Sequence, residues 1–292
     1  MDIESYRLEN VLNNKSNNII CRKYLSLDKF LDMLINKHIC FPRCDQFEDQ
    51  SESCMSVQLM IKLLNHAMRI ADLGKDEEFY NQFNEIMTLP PNHKSLPRFL
   101  KLIEHIMSKE NFPESTKKEV LNEIDTIKYA RLKHYAYCFS KNSEEQYLLW
   151  KTYTDDGKGL SFSFNNFDLI NQFKDNMNLM HISFYNGLIK YNLNENDSAE
   201  ALPFYKHSYY KGEEEMRLVI KLGNPQNYEK PFINLVFDAS IIKDITLSPF
   251  LSNWQIDVYR KTIITVWEKV FPNVEVPKIA VSQVGKKPIH MI

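Results

Sequence analysis

From residue 134 onward the chain is a succession of short β-rich runs with few helices between them. HYAYCFS (134–140), LSFSF (160–164), HISFY (181–185), GLIKY (187–191), EMRLVIKL (215–222), FINLVF (232–237), IIKDITL (241–247) and VPKIAVS (276–282) are rich in β-branched and aromatic residues. A parallel array needs a crossover of a dozen or more residues, usually a helix, between successive strands. Most of these runs have no such spacer. The expected fold class is therefore α+β, with a mixed, mostly antiparallel sheet as its core. Ser143 with Gln146 reads as the capping box of one intervening helix, marked by Leu148, Leu149 and Trp150. The turn DDGKG (155–159) leads into LSFSF, and a second helix runs through Trp254, Val258, Ile264 and Trp267.

The first half has a different texture. A polar lead-in extends through Asn18, and ICRKYLS (20–26) reads as a strand. Leu27, Phe30, Leu31, Leu34 and Ile35 then recur at helical spacing behind Ser26 as N-cap, and 38–41 read as a second strand before Pro42. Residues 53–128 are expected to be helical throughout. Val57 to Met68, Phe79 to Met87 and Leu96 to Met107 form apolar stripes, and Thr116 with Glu119 caps a fourth helix. The chain thus reads as one domain, 1–292, with a large helical insertion at 53–128.

Composition narrows the function classes. Only 7 of 292 residues are glycine, and neither a GxGxxG nor a GxxxxGK[ST] phosphate loop is present. GxSxG, HExxH and kinase signatures are also missing. A formal net charge of −2 supplies no overall field for nucleic acid, so a nucleic-acid partner is not expected. No run reaches the roughly 18 apolar residues of a membrane span, and the start lacks the pattern of a secretory signal. Cys21, Cys40, Cys44, Cys54 and Cys138 are an odd set without CxxC spacing. They read as reduced thiols of a cytoplasmic protein rather than zinc ligands.

Three segments carry chemistry. In KGEEEMR (211–217) a strand would align Glu213, Glu215 and Arg217 on one face. Two carboxylates and a guanidinium in one row would perturb each other's ionisation if buried, whereas in solvent the same row would be an acidic turn with a surface ion pair. FPRCDQFEDQSES holds Arg43, Asp45, Glu48, Asp49 and Glu52 in a spacing that fits no calcium loop. Trp150 and Tyr153, three apart on a helix after Ser140, could stack on a planar ring or simply pack that helix on the sheet. Ser140 lacks an evident His–Asp pair, and His207 stands alone near the acidic segment.

In their order and spacing these segments resemble the bacterial domain-of-unknown-function 2971 family. The matching elements are Arg22-Lys23-Tyr24, Phe47-Glu48-Asp49, Cys138-Phe139-Ser140 with Trp150, Tyr153 and Gly159, and finally Glu213, Glu215 and Arg217. The chain departs from that family where Glu48 and Gln50 replace Asn and Pro, and it has Tyr210 near the family's usual Trp. An opening basic strand, a strand ending in Ser and a late Glu-x-Glu also resemble the ADP-ribosyltransferase superfamily.

That second resemblance implies NAD as substrate. Arg22, with Lys23 beside it, would hold phosphate or ribose, and Ser140 would shape the nicotinamide site. Glu215, with Glu213, would be catalytic. Tyr24, Trp150, Tyr153 and Arg217 complete the cofactor-binding set, with Trp150 or Tyr153 stacking on nicotinamide. A fixed carboxylate stabilises the oxocarbenium-like charge that forms as the nicotinamide bond breaks, so no metal is expected. Two other readings stand beside this one: a non-catalytic module binding a protein partner through 53–128, and a metal-dependent nuclease or phosphoesterase holding one or two Mg²⁺ ions on Asp49, Glu52, Glu213 and Glu215.

Overall fold

The computed structural model describes residues 19–47, 96–108, 131–173, 182–191, 199–206, 208–223 and 229–285, with a few positions between 81 and 122. The stripes at 57–68 and 79–87, the capping box at 116–119, and Asp49, Glu52 and His207 lie outside the described residues. Helix Leu96–Met107 falls on the third stripe and buries Ile103 and Met107.

Among the described residues, seven strands form one sheet: β1 (Ile20–Ser26), β3 (His134–Ser140), β4 (Gly159–Asn165), β5 (Ile182–Leu188), β8 (Glu215–Leu222), β10 (Ile242–Leu247) and β11 (Lys278–Val281). Their order across the sheet is β11-β10-β4-β1-β3-β8-β5. Every pairing within this sheet is antiparallel except β10–β11, so the α+β class with a mixed, mostly antiparallel sheet holds. Strand β2 (His38–Pro42) pairs instead with β9 (Phe232–Val236) in a separate two-stranded sheet, and β6 (Lys190–Tyr191) pairs with β7 (Tyr205–Lys206).

The runs expected as two strands at 181–185 and 187–191 differ from this. One strand, β5, crosses Asn186-Gly187 because its ladder with β8 continues from Ile182↔Leu222 to Leu188↔Met216. Tertiary pairing overrides the local turn signal.

Alternation gives the large sheet two unlike faces. Phe162, Phe164, Tyr137, Phe139, Leu218, Ile220 and Ile245 belong to the main core. Helix α1 (Leu27–Ile35) and the later helix Asn253–Val270 cover that side, contributing Phe30, Leu34, Ile263 and Trp267. Phe30 lies 5.6 Å from Phe162, ring to ring. Ser26 occupies the N-cap of α1 without a side-chain bond to the helix backbone.

The opposite face is also buried and carries a polar row beside a smaller apolar cluster of Ala136, Tyr185 and Val219. Cross-strand register places Glu215 opposite Ser140, Ser140 opposite Arg22, Arg22 opposite Ser163 and Ser163 opposite Asp244. A single polar row therefore crosses five strands. In that row only Asp244 escapes burial; Glu215, Ser140, Arg22 and Ser163 are all buried.

Candidate functional site

The polar row needs partners, because buried polar groups without hydrogen bonds are costly. Arg22 satisfies much of its guanidinium inside the fold. Its Nη1 donates to Ser161 Oγ at 3.0 Å and Thr246 Oγ1 at 3.2 Å, its Nε donates to the Ser143 carbonyl, and Nη2 pairs with Asp244 at 3.4 Å. The Ser143 contact also explains a correction at the next helix, Tyr147–Tyr153. Its N-cap is Gln146, not Ser143, whose carbonyl is held by Arg22 in the preceding loop.

That helix closes the cleft from above. Trp150 is fully buried, sits edge-on to Tyr24 at 4.9 Å, and donates its indole N–H to Glu145. It is therefore packing, and its ring offers no open face for a ligand. Tyr24 is buried too, and its hydroxyl accepts the Gln146 N–H. Tyr153 differs, being 40% exposed and lining the cleft.

Glu213 and Glu215, expected on one strand, belong to different elements. β8 begins at Glu215, whereas Glu213 ends a 3₁₀ turn at Ser208–Glu213. Glu214 between them has φ 45°, in the left-handed region that disfavours a residue with a Cβ. The break is held from outside: the Lys141 N–H donates to the Glu214 carbonyl, and Asn142 Nδ2 donates to its carboxylate. The two glutamates do not reach a common face by strand alternation. They converge because both bind one ammonium.

That ammonium belongs to Lys206, a residue the sequence motifs did not single out. Lys206 Nζ lies 2.8 Å from Glu213 Oε2, 3.0 Å from Glu215 Oε2 and 3.4 Å from the Tyr153 hydroxyl. It also lies over the Tyr210 ring at 4.5 Å. Tyr153 in turn donates to Glu213 Oε2 at 2.9 Å. On the other flank, Arg217 Nε donates to Glu215 Oε1 at 2.6 Å, and its Nη1 to the Pro203 carbonyl at 2.7 Å. Arg217 is wholly buried over the Phe47 ring. It supports Glu215 rather than lining open space. A sequence signal existed for Lys206 only as one basic residue in FYKHSYYKG.

Burial dominates the electrostatics. It raises the Glu215 pKa, and the neighbouring Lys206 charge opposes that rise. Burial works against the charged form of Lys206 as well, but Glu215, Tyr153 and Glu213 outweigh it and hold the ammonium protonated above its ordinary range. Desolvation brings Arg217 down to about 10 and pushes Tyr153 up.

A cleft of about 320 Å³, open mouth included, lies beside the cluster. Arg22, Lys23, Tyr24, Ser140, Tyr153, Glu213 and Glu215 are among its walls. Six of the eight expected site residues, Arg22, Tyr24, Ser140, Tyr153, Glu213 and Glu215, thus meet at one cleft, while Trp150 and Arg217 stand behind it. Ser140 Oγ donates to the Glu213 carbonyl and accepts the Asn142 N–H, which ties the end of β3 to the acidic turn. Among the described residues, β1 and β3 share one registered pair, Arg22↔Ser140, and beyond it Lys23 Nζ reaches the Cys138 carbonyl at 2.6 Å. Burial lowers the Lys23 pKa.

Among the described residues, no group of three His, Cys, Asp or Glu side chains is arranged to hold a metal ion. No described helix is long and apolar enough to cross a membrane.

A family model described as "Protein of unknown function (DUF2971)" matches residues 149–218. The match covers Trp150, Tyr153, Lys206, Glu213, Glu215 and Arg217, and supports the resemblance drawn from those motifs. No curated protein matches the chain, and no solved structure does.

Proposed function

We propose that this cleft binds NAD by its nicotinamide–ribose end and that the protein cleaves the nicotinamide bond, in the manner of an ADP-ribosyltransferase or NAD glycohydrolase. The observation that carries the reading is the register Arg22↔Ser140↔Glu215. It puts a basic residue, a serine and a carboxylate in one row on adjacent strands, at the wall of a single cleft. Tyr153 offers the exposed ring for stacking, and Arg22 and Lys23, whose head groups are hydrogen-bonded within the fold, contribute a positive field at the cleft wall. The space beside Glu215 is about 320 Å³ with its open mouth included, so on this reading only the nicotinamide–ribose end enters it and the adenosine end extends outside.

Chemically, cleavage breaks the bond between ribose C1′ and the nicotinamide nitrogen. The bonding pair leaves with nicotinamide, positive charge develops on the ribose, and water or an acceptor hydroxyl or amine forms the new bond and gives up a proton. Glu215 stabilises the developing cation, a role typically worth about 100-fold or more in rate when charge is preorganised. A second reading, a non-catalytic binding cleft, draws on a different observation: Lys206 and Arg217 already engage both oxygens of Glu215. The nuclease or phosphoesterase reading has less support, since Glu213 and Glu215 hold an ammonium where that chemistry would hold its cation.

The deciding experiment follows nicotinamide release from NAD by wild type and Glu215→Gln. Release that falls at least 100-fold in the variant supports cleavage. A thermal shift with NAD but no release favours the binding cleft, and neither response removes NAD from consideration.

A further inference from the structure

We infer that Lys206 is the positioning residue of this site, the side chain that holds Glu213 and Glu215 together as carboxylates at the cleft wall. The inference rests on the proposed reading for its catalytic consequence, but its electrostatic core stands on geometry alone. Two carboxylates that share a buried site cannot both stay ionised without a counter-charge; one takes up a proton. Here Lys206 Nζ bridges them at 2.8 and 3.0 Å, with all three side chains at most 5% exposed.

The ammonium is itself fixed from three further directions. The Tyr153 hydroxyl comes from the helix above, the Tyr210 ring from the 3₁₀ turn, and β7 anchors the lysine backbone. Lys206 is thus placed by elements other than the strand carrying Glu215. Its role is to convert the glutamate at the start of β8 into a fixed negative group.

The other titratable groups facing Glu215 do not replace it. Arg217 pairs with the opposite oxygen, Oε1, and leaves Oε2 to Lys206. Cys138 and Tyr191 are neutral neighbours, and Glu213 and Tyr153 share the ammonium rather than supplying one. Lys23 acts on Glu215 through its field, while its Nζ is bound to the Cys138 carbonyl.

The test compares wild type, Lys206→Met and Lys206→Arg by infrared spectroscopy at pH 7, with nicotinamide release measured across pH. A protonated-carboxyl band should appear in Lys206→Met, be absent from wild type and Lys206→Arg, and vanish when Glu215→Gln or Glu213→Gln is added. Nicotinamide release by Lys206→Met should drop at least tenfold near neutrality and recover as pH rises, because deprotonation then restores the carboxylate. Lys206→Arg should restore the wild-type profile. A folded Lys206→Met without the band, or with an equal loss at every pH, overturns the inference. Should that variant not fold, ¹⁵Nζ lysine spectra of wild type decide: a slowly exchanging ammonium signal, lost in Lys206→Arg, is required. Wild type that shows the lysine and carboxyl signatures yet releases no nicotinamide would overturn only the NAD reading.

Discussion

Lys206 and Glu215, nine residues apart in sequence, meet in an ion pair of 3.0 Å between β7 and the first residue of β8. Both side chains are buried, each 5% exposed. Such a pair adds little net stability by its presence, because desolvation offsets the Coulomb gain. Loss of one partner is expensive, since the other charge is left uncompensated.

Lys206→Met should therefore lower unfolding stability by about 3–5 kcal/mol. Adding Glu215→Gln should recover part of that loss, with a coupling of about 0.5–3 kcal/mol between the two positions. Urea denaturation of the two single variants and the double variant gives the cycle. Strict additivity would mean that the pair does not act as a unit.

Glu215 should make the protein less stable as pH rises. Burial holds its folded pKa above the ordinary 4.5, so the folded protein binds that proton more tightly than the unfolded chain does. The resulting contribution is fully present below 4.5 and is lost as pH climbs through the raised value. Relative to Glu215→Gln, wild type should lose melting temperature over that climb. Parallel melting curves for the two proteins would contradict the assignment.

Gly159 begins β4 where the sheet leaves no room for a side chain. A Cβ there would collide with the Leu25 carbonyl oxygen and lie 2.6 Å from Thr154 Cβ. Gly159→Ala should destabilise by about 1–3 kcal/mol, the usual range for overpacking. At Gly212 an added Cβ meets nothing within 4 Å. Gly212→Ala should be neutral or gain about 0.4–1 kcal/mol through the unfolded chain. Thermal melts of the two variants check the contrast.

The two aromatics of helix Tyr147–Tyr153 should separate in their effects. Trp150→Ala removes a fully buried ring and should cost about 3–5 kcal/mol. Tyr153→Phe keeps the ring and loses the hydroxyl bond to Glu213, worth about 1 kcal/mol at most at this half-open site. Titration with NAD should show the affinity of Tyr153→Ala falling further than that of Tyr153→Phe, as stacking requires.

Much of the framework was legible because its signals are local. The alternation of LSFSF gave β4, and EMRLVIKL matched β8 residue for residue. The 3.6-residue stripe starting at Leu27 gave α1. Glu215, Ser140 and Arg22 could be nominated from motif order, but Trp150 could not be told from a stacking residue. An aromatic on a helix has the same sequence signature whether its helix lies over a cleft or seals one.

Sequence by itself determined the elements and the polar inventory: which strands alternate, which helices are amphipathic, and which charged residues must find partners. Tertiary structure alone decided the partners. Register across β8, β3, β1, β4 and β10 turned scattered Glu, Ser, Arg and Asp residues into one buried row. The left-handed backbone at Glu214 and the placement of β7 brought Glu213 and Lys206 onto Glu215. Side-chain periodicity is a property of a few neighbouring residues, whereas the burial that makes an ion pair matter depends on segments far apart in the chain.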